Sequence, residues 1–451
     1  MNTPLHIAIL GAGESGVGAA MLAQKQGYRY LLSDSGSVNS TYRKAIAEYE
    51  LQYEENGHSS ELILQSETIV KSPGIPGNIP LLNEARKRGI PVISEVEFAY
   101  QHCREATIAA VTGTNGKTTV ASMLYDVMQK GGLEVTLAGN VGQSFAAAVA
   151  TQPTPYYALE ISSFQLDDIR DFKPHIAIIT NITPDHLDRY EHKMERYIEA
   201  KFKIVKNQDA SDYFLYCADD AVLQEKVPQY AIASQKLGYS LYQHLPKGAY
   251  LKTENNTTQI IIKTKKEEAM SIKELALQGK HNTHNSMAAG VAAKLLGIRK
   301  ESIRDSLAEF DSLEHRLESV LEIYGIMFIN DSKATNVNSA SYALDTIKKP
   351  LIWLAGGVDK GNDYSSLYGL VKDKVKAIIC IGENNEKLHQ AFGDKVKFIM
   401  DSANMDEAVR MAYKLGNKGD AVLLSPACAS FDLFENFEDR GRQFKKSVRQ
   451  L

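Results

Sequence analysis

The sequence predicts an α/β protein built from three domains, and two observations carry that prediction. Apolar runs with strand character alternate with segments of helical periodicity, and this alternation starts afresh twice along the 451 residues. The first two of the resulting blocks also contain an apolar run that leads into a glycine-rich turn and then a helix. We therefore expect three mostly parallel sheets in domains spanning residues 1–104, 105–312 and 313–451.

The first block contains four runs with strand character, which are HIAIL, YRYLLSD, ETIVKSPGIP and PVISEVEFAY. The stretch ILGAGESGVG places Gly11, Gly13 and Gly16 in a G-x-G-x-x-G pattern between a strand and a helix, and Asp34 ends the next strand. This is the pattern of a Rossmann-like domain, in which the turn receives a pyrophosphate and the acidic residue a ribose hydroxyl. A dinucleotide, a flavin and a UDP-sugar all remain open as ligands, as does a purely structural role for the glycines.

The second block predicts a doubly wound sheet through ATIAAVT, VTLAGN, YYALEISS, IAIITNI and YFLYCA. The more polar alternation of YLKTENNTTQIIIKTKK predicts an antiparallel hairpin at its edge.

The strongest local motif of that block is GTNGKTT, at residues 113–119. A strand, a glycine loop and a helix in this order are typical of a phosphate-binding loop, in which Lys117 reaches the β- and γ-phosphates and Thr118 offers its hydroxyl to magnesium. Only two residues separate Gly113 from the Gly-Lys pair, where the general formula has four. This spacing favours a specialised ATP-binding domain over a general ATPase, and a glycine turn with a surface lysine is the structural alternative.

The third block repeats the strand pattern through HRLESVLEIYGIMFINDSKATN, PLIWLAGG, KAIICIG, KFIM and AVLLSPA, which predicts a second Rossmann-like domain. Asp331, Lys333 and Thr335 alternate in NDSKATN, so an extended segment would present them on one side.

Composition excludes several classes of protein. A formal net charge of −4 without a basic block argues against nucleic acid or an anionic membrane as partner, so we expect small-molecule substrates. No signal-peptide pattern or membrane-spanning run is present, which predicts a cytoplasmic location. The four cysteines, Cys103, Cys217, Cys380 and Cys428, are far apart and are expected to be reduced and mostly buried.

The contracted loop GTNGKTT resembles the ATP loop of the Mur ligase superfamily, which includes the folylpolyglutamate synthases. SPGIP, ALEISSFQL, NITPDHLDRY, NDSKATN and LLSPACASFDLFENFEDRG extend the resemblance over all three blocks, and they point to the branch that adds D-glutamate. The resemblance implies an ADP-forming carbon–nitrogen ligase that joins D-glutamate to UDP-N-acetylmuramoyl-L-alanine in peptidoglycan precursor synthesis. ATP and two magnesium ions, which manganese can replace, are the implied cofactors, and a monomer is expected.

The resemblance also implies a role for individual residues. It implies that the Gly11–Gly16 turn binds a UDP-sugar, and that the third domain binds D-glutamate and closes the site. The UDP-sugar residues are Gly13, Glu14, Ser15, Asp34, Ser35, Ser72, Gly74, Asn140, Ser162, Gln165 and His186; the ATP residues are Gly113, Thr114, Asn115, Gly116, Lys117, Thr118, Thr119, Asn282, Asn285, Arg316, Asp331 and Lys333. The D-glutamate residues are Thr335, Lys360, Ser430, Phe431 and Phe437; the metal ligands are Thr118, Glu160, His186 and Lys201; the catalytic residues are Lys117, Glu160, His186, Lys201 and Lys333.

Lys201 can be a metal ligand only after modification, because a bare ammonium repels magnesium and has no lone pair. The resemblance implies that carbon dioxide carbamylates it, which supplies carboxylate-like oxygens.

Structural alternatives accompany several of these assignments. The alternatives are a surface position for Lys201, a structural histidine at 186, an ordinary turn at Ser72, and helix capping by Asn282 or Asn285. At the level of the whole chain, a folylpolyglutamate-type ligase and a non-enzymatic nucleotide-binding regulator are the other hypotheses.

Overall fold

The computed structural model describes residues 5–254, 257–264, 269–272, 275, 279–310 and 314–451. The chain forms two compact units, Met1–Phe310 and Asp311–Leu451. The first unit contains two sheets and the second contains one, which confirms the predicted three-domain α/β class. Among the residues that the structure describes, none of the helices combines the length and apolar character that crossing a membrane requires.

The N-terminal sheet has five parallel strands in the order β3-β2-β1-β4-β5. Its strands are β1 (Ile7–Leu10), β2 (Tyr30–Ser33), β3 (Tyr53–Glu54), β4 (Thr68–Lys71) and β5 (Val92–Ser94); its helices are α1 (Glu14–Lys25), α2 (Ser40–Glu48), α3 (Ser60–Ile63), α4 (Pro80–Lys87) and α5 (Glu95–Gln101).

The structure differs from the sequence prediction at two places in this sheet. The two-residue strand β3 was not predicted, because it is too short to show any alternation. The run PVISEVEFAY is a strand only at its start. Ser94 caps a helix there by accepting the N–H of Glu97 at 3.2 Å, and Glu95 and Glu97 in the first turn favour that helix.

The central sheet has nine strands in the order β14-β13-β12-β11-β10-β9-β6-β8-β7. They are β6 (Thr107–Thr112), β7 (Val135–Gly139), β8 (Tyr156–Glu160), β9 (Ile176–Ile179), β10 (Tyr213–Cys217), β11 (Gln235–Ser240), β12 (Gly248–Glu254), β13 (Thr257–Lys263) and β14 (Ala269–Ile272). The antiparallel pairing of β12 with β13 confirms the predicted hairpin. Residues 255–256 and 265–266 of that prediction lie outside the described residues.

Helices cover both faces of this sheet, as parallel strands require. They are α6 (Lys117–Lys130), α7 (Phe145–Thr151), α8 (Ser163–Asp167), α9 (Met194–Phe202), α10 (Ala221–Lys226), α11 (Lys280–Leu295) and α12 (Lys300–Glu309). Because Thr112, Glu160 and Ile179 end neighbouring parallel strands, the segments that follow them begin at one edge of the sheet. These segments contain Gly113–Thr119, Ser162, Gln165 and His186.

The C-terminal sheet has six strands in the order β15-β16-β20-β17-β18-β19, and only the edge strand β15 is antiparallel. The elements are β15 (Glu318–Ile323), β16 (Ile326–Asn330), α13 (Val337–Thr346), β17 (Leu351–Ala355), α14 (Tyr368–Lys374), β18 (Val375–Ile381), α15 (Glu386–Phe392), β19 (Phe398–Ser402), α16 (Met405–Leu415), β20 (Ala421–Leu424) and α17 (Phe437–Arg449). Alternate residues of the four inner strands fill two apolar layers, with Trp353 in one and Ile352 in the other.

Candidate active site

The turn after β1 is joined to the ends of β2 and β4. The N–H of Ala12 donates to Asp34 Oδ2 at 2.7 Å, and Ser72 Oγ donates to the carbonyl oxygen of Gly11 at 3.2 Å. A Cβ on Gly16 would lie 1.7 Å from the oxygen of Gly11, so the close approach of the two backbone segments requires a glycine at this position. The structure therefore brings Asp34 and Ser72 to the turn, and it gives Gly16 the structural role considered above.

Gly13 is different, because a Cβ there would meet no atom within 4 Å. It begins helix α1 without a side-chain cap, followed by exposed Glu14 and half-buried Ser15. The N-terminus of this 12-residue helix thus lies where a phosphate could approach it. Exposed Ser35 and Gly74 lie after β2 and β4.

The GTNGKTT loop, which is the predicted phosphate-binding loop, has two glycines that no other residue could replace without strain. Gly113 has φ +144°, and a Cβ on it would lie 1.9 Å from Thr180 Oγ1. Gly116 has φ +84°, and its Cβ would lie 2.6 Å from Asn285 Oδ1. The loop is therefore pressed between the end of β9 and helix α11.

Hydrogen bonds from the segment after β9 fix the loop's shape. The N–H of Asn115 donates to Asn181 Oδ1 at 2.9 Å, and Asn181 Nδ2 returns a bond to the carbonyl of Asn115 at 2.9 Å. Thr114 is buried and donates to the carbonyl of Thr183 at 3.0 Å. Asn181 and Thr183 thus hold the loop itself, a role that the sequence did not reveal.

Lys117, the first residue of α6, curls back over this loop. Its Nζ donates to the carbonyl oxygens of Gly113 and Thr114 at 3.1 and 2.8 Å. The ammonium is therefore held against the loop backbone, and the next two residues, Thr118 and Thr119, are buried.

Glu160 ends β8, and both of its carboxylate oxygens accept hydrogen bonds. Thr118 Oγ1 donates to Oε2 at 2.7 Å, and Asn140 Nδ2 donates to Oε1 at 3.0 Å. The structure thus brings together the hydroxyl and carboxylate predicted as metal ligands. Hard oxygen donors of this kind are what magnesium prefers.

Lys201 lies on the buried face of α9 with only 1% of its surface exposed, so the surface alternative is wrong. Its Nζ donates to the carbonyl of Gly113 at 2.7 Å and lies 4.3 Å from the centre of the Tyr197 ring. Burial and the nearby Lys117 ammonium hold the pKa of Lys201 well below its ordinary value, although Asp185 and Asp167 act in the opposite direction.

His186 occupies a left-handed backbone conformation with φ +52°. Its ring meets the edge of Phe164 at 5.4 Å, and Nε2 lies 3.8 Å from Asp185 Oδ2. The imidazole is partly exposed, so the geometry is compatible with both the ligand and the structural interpretation.

Asn282 and Asn285 share the face of α11 that meets the phosphate-binding loop. Asn285 Nδ2 donates to Asn282 Oδ1 at 3.5 Å, and Gly116 packs against Asn285. Because Gly279 is the N-cap of this helix, the capping alternative is wrong for both. Capping is instead the observed role of Ser162 and Gln165, which form a capping box at the start of α8.

In the second unit, NDSKATN is a turn, so the prediction that Asp331, Lys333 and Thr335 line one side of an extended segment was wrong. The N–H of Ala334 donates to the carbonyl of Asp331 at 2.9 Å. Ser332 is fully buried and donates to the carbonyl of Phe437, which requires the chain to bend at this point.

Asp331 is buried beside charged neighbours. Burial raises its pKa to about 7, although Ser425 Oγ donates to Oδ2 at 2.8 Å and the charges of Arg316 and Arg440 favour the carboxylate. The N–H of Leu317, which follows Arg316, also donates to Asp331 Oδ1 at 3.2 Å.

Four of the predicted D-glutamate residues, Thr335, Lys360, Ser430 and Phe431, lie in loops that follow strands of the C-terminal sheet. Phe437 begins α17, and Lys333 Nζ lies 5.1 Å from the centre of its ring. Ser430 is buried, Lys360 is exposed and Phe431 is 73% exposed. The neighbouring Cys428 is buried, and burial raises the pKa of its thiol.

The sequence did not indicate that this region contains a buried arginine. Arg440 is 1% exposed and donates to Ser332 Oγ, to the carbonyl of Ser332 and to that of Cys428, at 3.0, 2.9 and 3.2 Å. It therefore joins the NDSKATN turn to the loop that contains Ser430. Helix α17 is rich in charged residues, so the sequence pattern did not predict that Arg440 is buried.

Three protein-family models match the chain in succession. The Mur ligase MurD-like N-terminal domain matches residues 5–94, the Mur ligase middle domain residues 111–293, and the Mur ligase glutamate ligase domain residues 315–428.

Curated relatives match over nearly the whole chain. A protein of Christiangramia forsetii called "UDP-N-acetylmuramoylalanine--D-glutamate ligase" is 49% identical over 445 residues, which cover 99% of each chain. A protein of the same name from Porphyromonas gingivalis is 46% identical, covering 99% of this chain and 98% of its own.

Solved structures share the fold at low identity. The UDP-N-acetylmuramate-alanine ligase MurC of Thermotoga maritima aligns with a TM-score of 0.64 at 17% identity over 99% of each chain. The MurF ligase of Thermotoga maritima, solved with ADP, aligns with a TM-score of 0.61 at 16% identity over 93% of this chain and 95% of its own.

Proposed function

This chain belongs to the Mur ligase family, and we propose that it catalyses the ATP-dependent joining of D-glutamate to UDP-N-acetylmuramoyl-L-alanine in peptidoglycan precursor synthesis. The near-full-length identity of 49% to a relative with that name supports this reaction most directly. A folate-type ligase is not favoured, because the curated relatives carry the D-glutamate ligase name.

The chemistry explains the need for ATP. A carboxylate is a poor electrophile, so an oxygen of the alanyl carboxylate attacks the γ-phosphorus and ADP leaves. The amine of D-glutamate then attacks the carbonyl carbon of the acyl phosphate and loses a proton. The tetrahedral adduct collapses to the amide, and inorganic phosphate leaves.

The ATP residues of this proposal are those around the loop from Gly113 to Thr119, with Lys117 on the transferred phosphate and Asn282 and Asn285 toward the base. The position of Asn285 against Gly116 supports this choice, since it joins the helix face to the loop. Arg316, Asp331 and Lys333 complete the assignment from the second unit.

A magnesium ion fits the oxygen donors beside the loop. Thr118 and Glu160 would hold it, since their oxygens already meet at 2.7 Å, and His186 and a modified Lys201 are the further ligands that we propose. Two bound ions would offset phosphate charge. Manganese, which accepts the same ligands, should replace magnesium.

We propose that Lys201 is carbamylated. Its depressed pKa favours the neutral amine, whose nitrogen can attack carbon dioxide to form a C–N bond; one C=O bond becomes C–O⁻, and nitrogen releases a proton. The product is a carbamate whose oxygens can bind metal. Modification would also place a negative charge beside the Lys117 ammonium, which would stabilise the carbamate.

The substrate residues complete the proposal. Gly13, Glu14, Ser15, Asp34, Ser35, Ser72, Gly74, Asn140, Ser162, Gln165 and His186 would bind the UDP-sugar, and Thr335, Lys360, Ser430, Phe431 and Phe437 would bind D-glutamate. A cytoplasmic monomer is proposed as the working form.

Phosphate release from ATP tests the reaction. We expect release only when UDP-N-acetylmuramoyl-L-alanine and D-glutamate are both present, with a product whose mass equals their sum less one water. Release with tetrahydrofolate and L-glutamate instead would favour the folate reaction. No release with either pair would favour a binding protein.

A further inference from the structure

The side chain of Arg189 connects two segments that lie far apart in sequence. Its Nη1 donates to the carbonyl oxygen of Gly74 at 3.2 Å, and its Nη2 donates to those of Pro73 and Ile75 at 3.2 and 3.3 Å. These three consecutive carbonyls belong to the SPGIP loop after β4. A single planar guanidinium therefore fixes the backbone of this loop.

The same guanidinium covers an aromatic ring. The Arg189 Cζ lies 4.6 Å from the centre of the Phe164 ring, which stacks on Tyr190 and meets the edge of His186 at 5.4 Å. Phe164 lies in α8 between Ser163 and Gln165. The contacts of Arg189 and Phe164 thus connect the SPGIP loop, helix α8 and the His186 turn.

We propose that Arg189 is a positioning residue that holds the SPGIP loop and the His186 turn in the arrangement that receives the UDP-sugar. This inference rests on the proposed function, which assigns Ser72, Gly74 and His186 to that substrate. Arg189 acts through the loop carbonyls and the Phe164 ring, so its effect concerns preorganisation of the substrate pocket.

These contacts lie outside the strand ladders and the apolar cores. Residues 72–75 and 186–189 lie in turns or a single 3₁₀ turn, and Arg189 is only half-buried. Loss of its side chain should therefore loosen two loops and leave the sheets intact. Lysine carries the same charge but cannot reach three carbonyls with a planar fork, so it should replace arginine only in part.

The experiment compares Arg189→Ala and Arg189→Lys with the unchanged protein. Arg104→Ala is the matched control, because it removes an exposed arginine that pairs with Asp171 at 3.1 Å in the same unit. We expect the KM for UDP-N-acetylmuramoyl-L-alanine to rise about tenfold or more in Arg189→Ala and less in Arg189→Lys. The KM for ATP and the melting temperature should stay close to those of the control.

Hydrogen exchange on the ligand-free protein gives a second readout that does not depend on the reaction. The amides of Ser72, Gly74, Ile75 and Gly77 should exchange faster in Arg189→Ala than in Arg104→Ala. Unchanged exchange there would overturn the proposal, and so would faster exchange with an unaltered KM for the UDP-sugar. Equal losses for all three substrates would show general structural damage and would also overturn it. Failure of the unchanged protein to turn over the UDP-sugar would instead refute the proposed function.

Discussion

Lys201 Nζ lies 2.7 Å from the carbonyl oxygen of Gly113, so a buried amine on α9 contacts the first residue of the phosphate-binding loop. The structure leaves little of this side chain in contact with water, which is unusual for lysine. Its position connects the predicted modification to the predicted nucleotide site.

Lys201→Ala should therefore be nearly inactive, because it removes the oxygens that the carbamate would offer to magnesium. We expect a loss of about a hundredfold or more in turnover and partial recovery with formate or acetate. Lys206→Ala, an exposed lysine beyond the same helix, is the control. Carbon-13 NMR on protein kept in labelled bicarbonate should show a carbamate signal that Lys201→Ala lacks. An unmodified Lys201 together with an active alanine variant would contradict this prediction.

Lys117→Ala should lose about a hundredfold or more in phosphate release, because the ammonium that stabilises the transferring phosphoryl charge is removed. Lys130→Ala is the control at the other end of α6, where Lys130 pairs with Asp126. Circular dichroism should show both variants folded. If folded Lys117→Ala formed the acyl phosphate at a near-normal rate, the assignment of this loop to the ATP site would be wrong.

The Gly11–Gly16 turn should bind a UDP-sugar and no nicotinamide dinucleotide. Calorimetric titration of the unchanged protein should therefore give binding of UDP-N-acetylmuramoyl-L-alanine and no measurable heat with NAD or NADP. NAD binding that competes with the UDP-sugar would reverse this assignment.

Alanine substitutions at two glycines of the turn distinguish an effect on packing from an effect on ligand binding. Gly16→Ala should destabilise the protein by about 1 to 3 kcal/mol, because its Cβ would overlap the oxygen of Gly11 at 1.7 Å. Gly13→Ala should change stability by about 1 kcal/mol or less, since its Cβ meets no protein atom, yet it should weaken UDP-sugar binding. Unaltered affinity in Gly13→Ala would mean that the phosphates do not approach this residue.

Glu95 should make stability depend on pH. This carboxyl is buried, accepts the N–H of Ala146, and leaves Oε2 without a hydrogen-bond partner among the described residues. Burial raises its pKa from 4.5 to about 7, and Glu14 adds to the effect. Between these values the folded protein keeps a proton that the unfolded chain has lost, so stability falls as pH rises.

Glu95→Gln should therefore be more stable than the unchanged protein at pH 8, by up to about 3 kcal/mol, and similar to it at pH 5. Glutamine preserves the acceptor for Ala146 and carries no charge. Thermal unfolding at the two pH values measures the difference. A stability change of equal size at both values would show that the charge of Glu95 is not its cause.

The sequence predicted elements whose signals are local. Strand β6, the glycine loop and α6 follow one another within 24 residues of a strongly patterned stretch, from 107 to 130, and the structure confirms them. The β12–β13 hairpin also shows its alternation in the sequence. By contrast, α5 was predicted as part of a strand, because the apolar residues of PVISEVEFAY suggested a strand and the helix cap at Ser94 was overlooked.

Tertiary contacts decided the features that the sequence could not reveal. The burial of Lys201 depends on the loop at Gly113, which lies 88 positions away in the chain. The bend at Ser332 depends on Phe437 and Arg440, which arrive from the end of the chain. The amide of Asn181 likewise holds Asn115, which lies 66 positions away in the chain.

The paired bonds between Asn115 and Asn181 also set an order for assembly. These residues are 66 positions apart, so closing that loop costs chain entropy before the contact can form. During synthesis the nucleotide loop can acquire its final shape only after the segment beyond β9 has left the ribosome and docked beside β6. A chain stopped short of Asn181 should therefore carry the complete GTNGKTT motif and still fail to retain ATP.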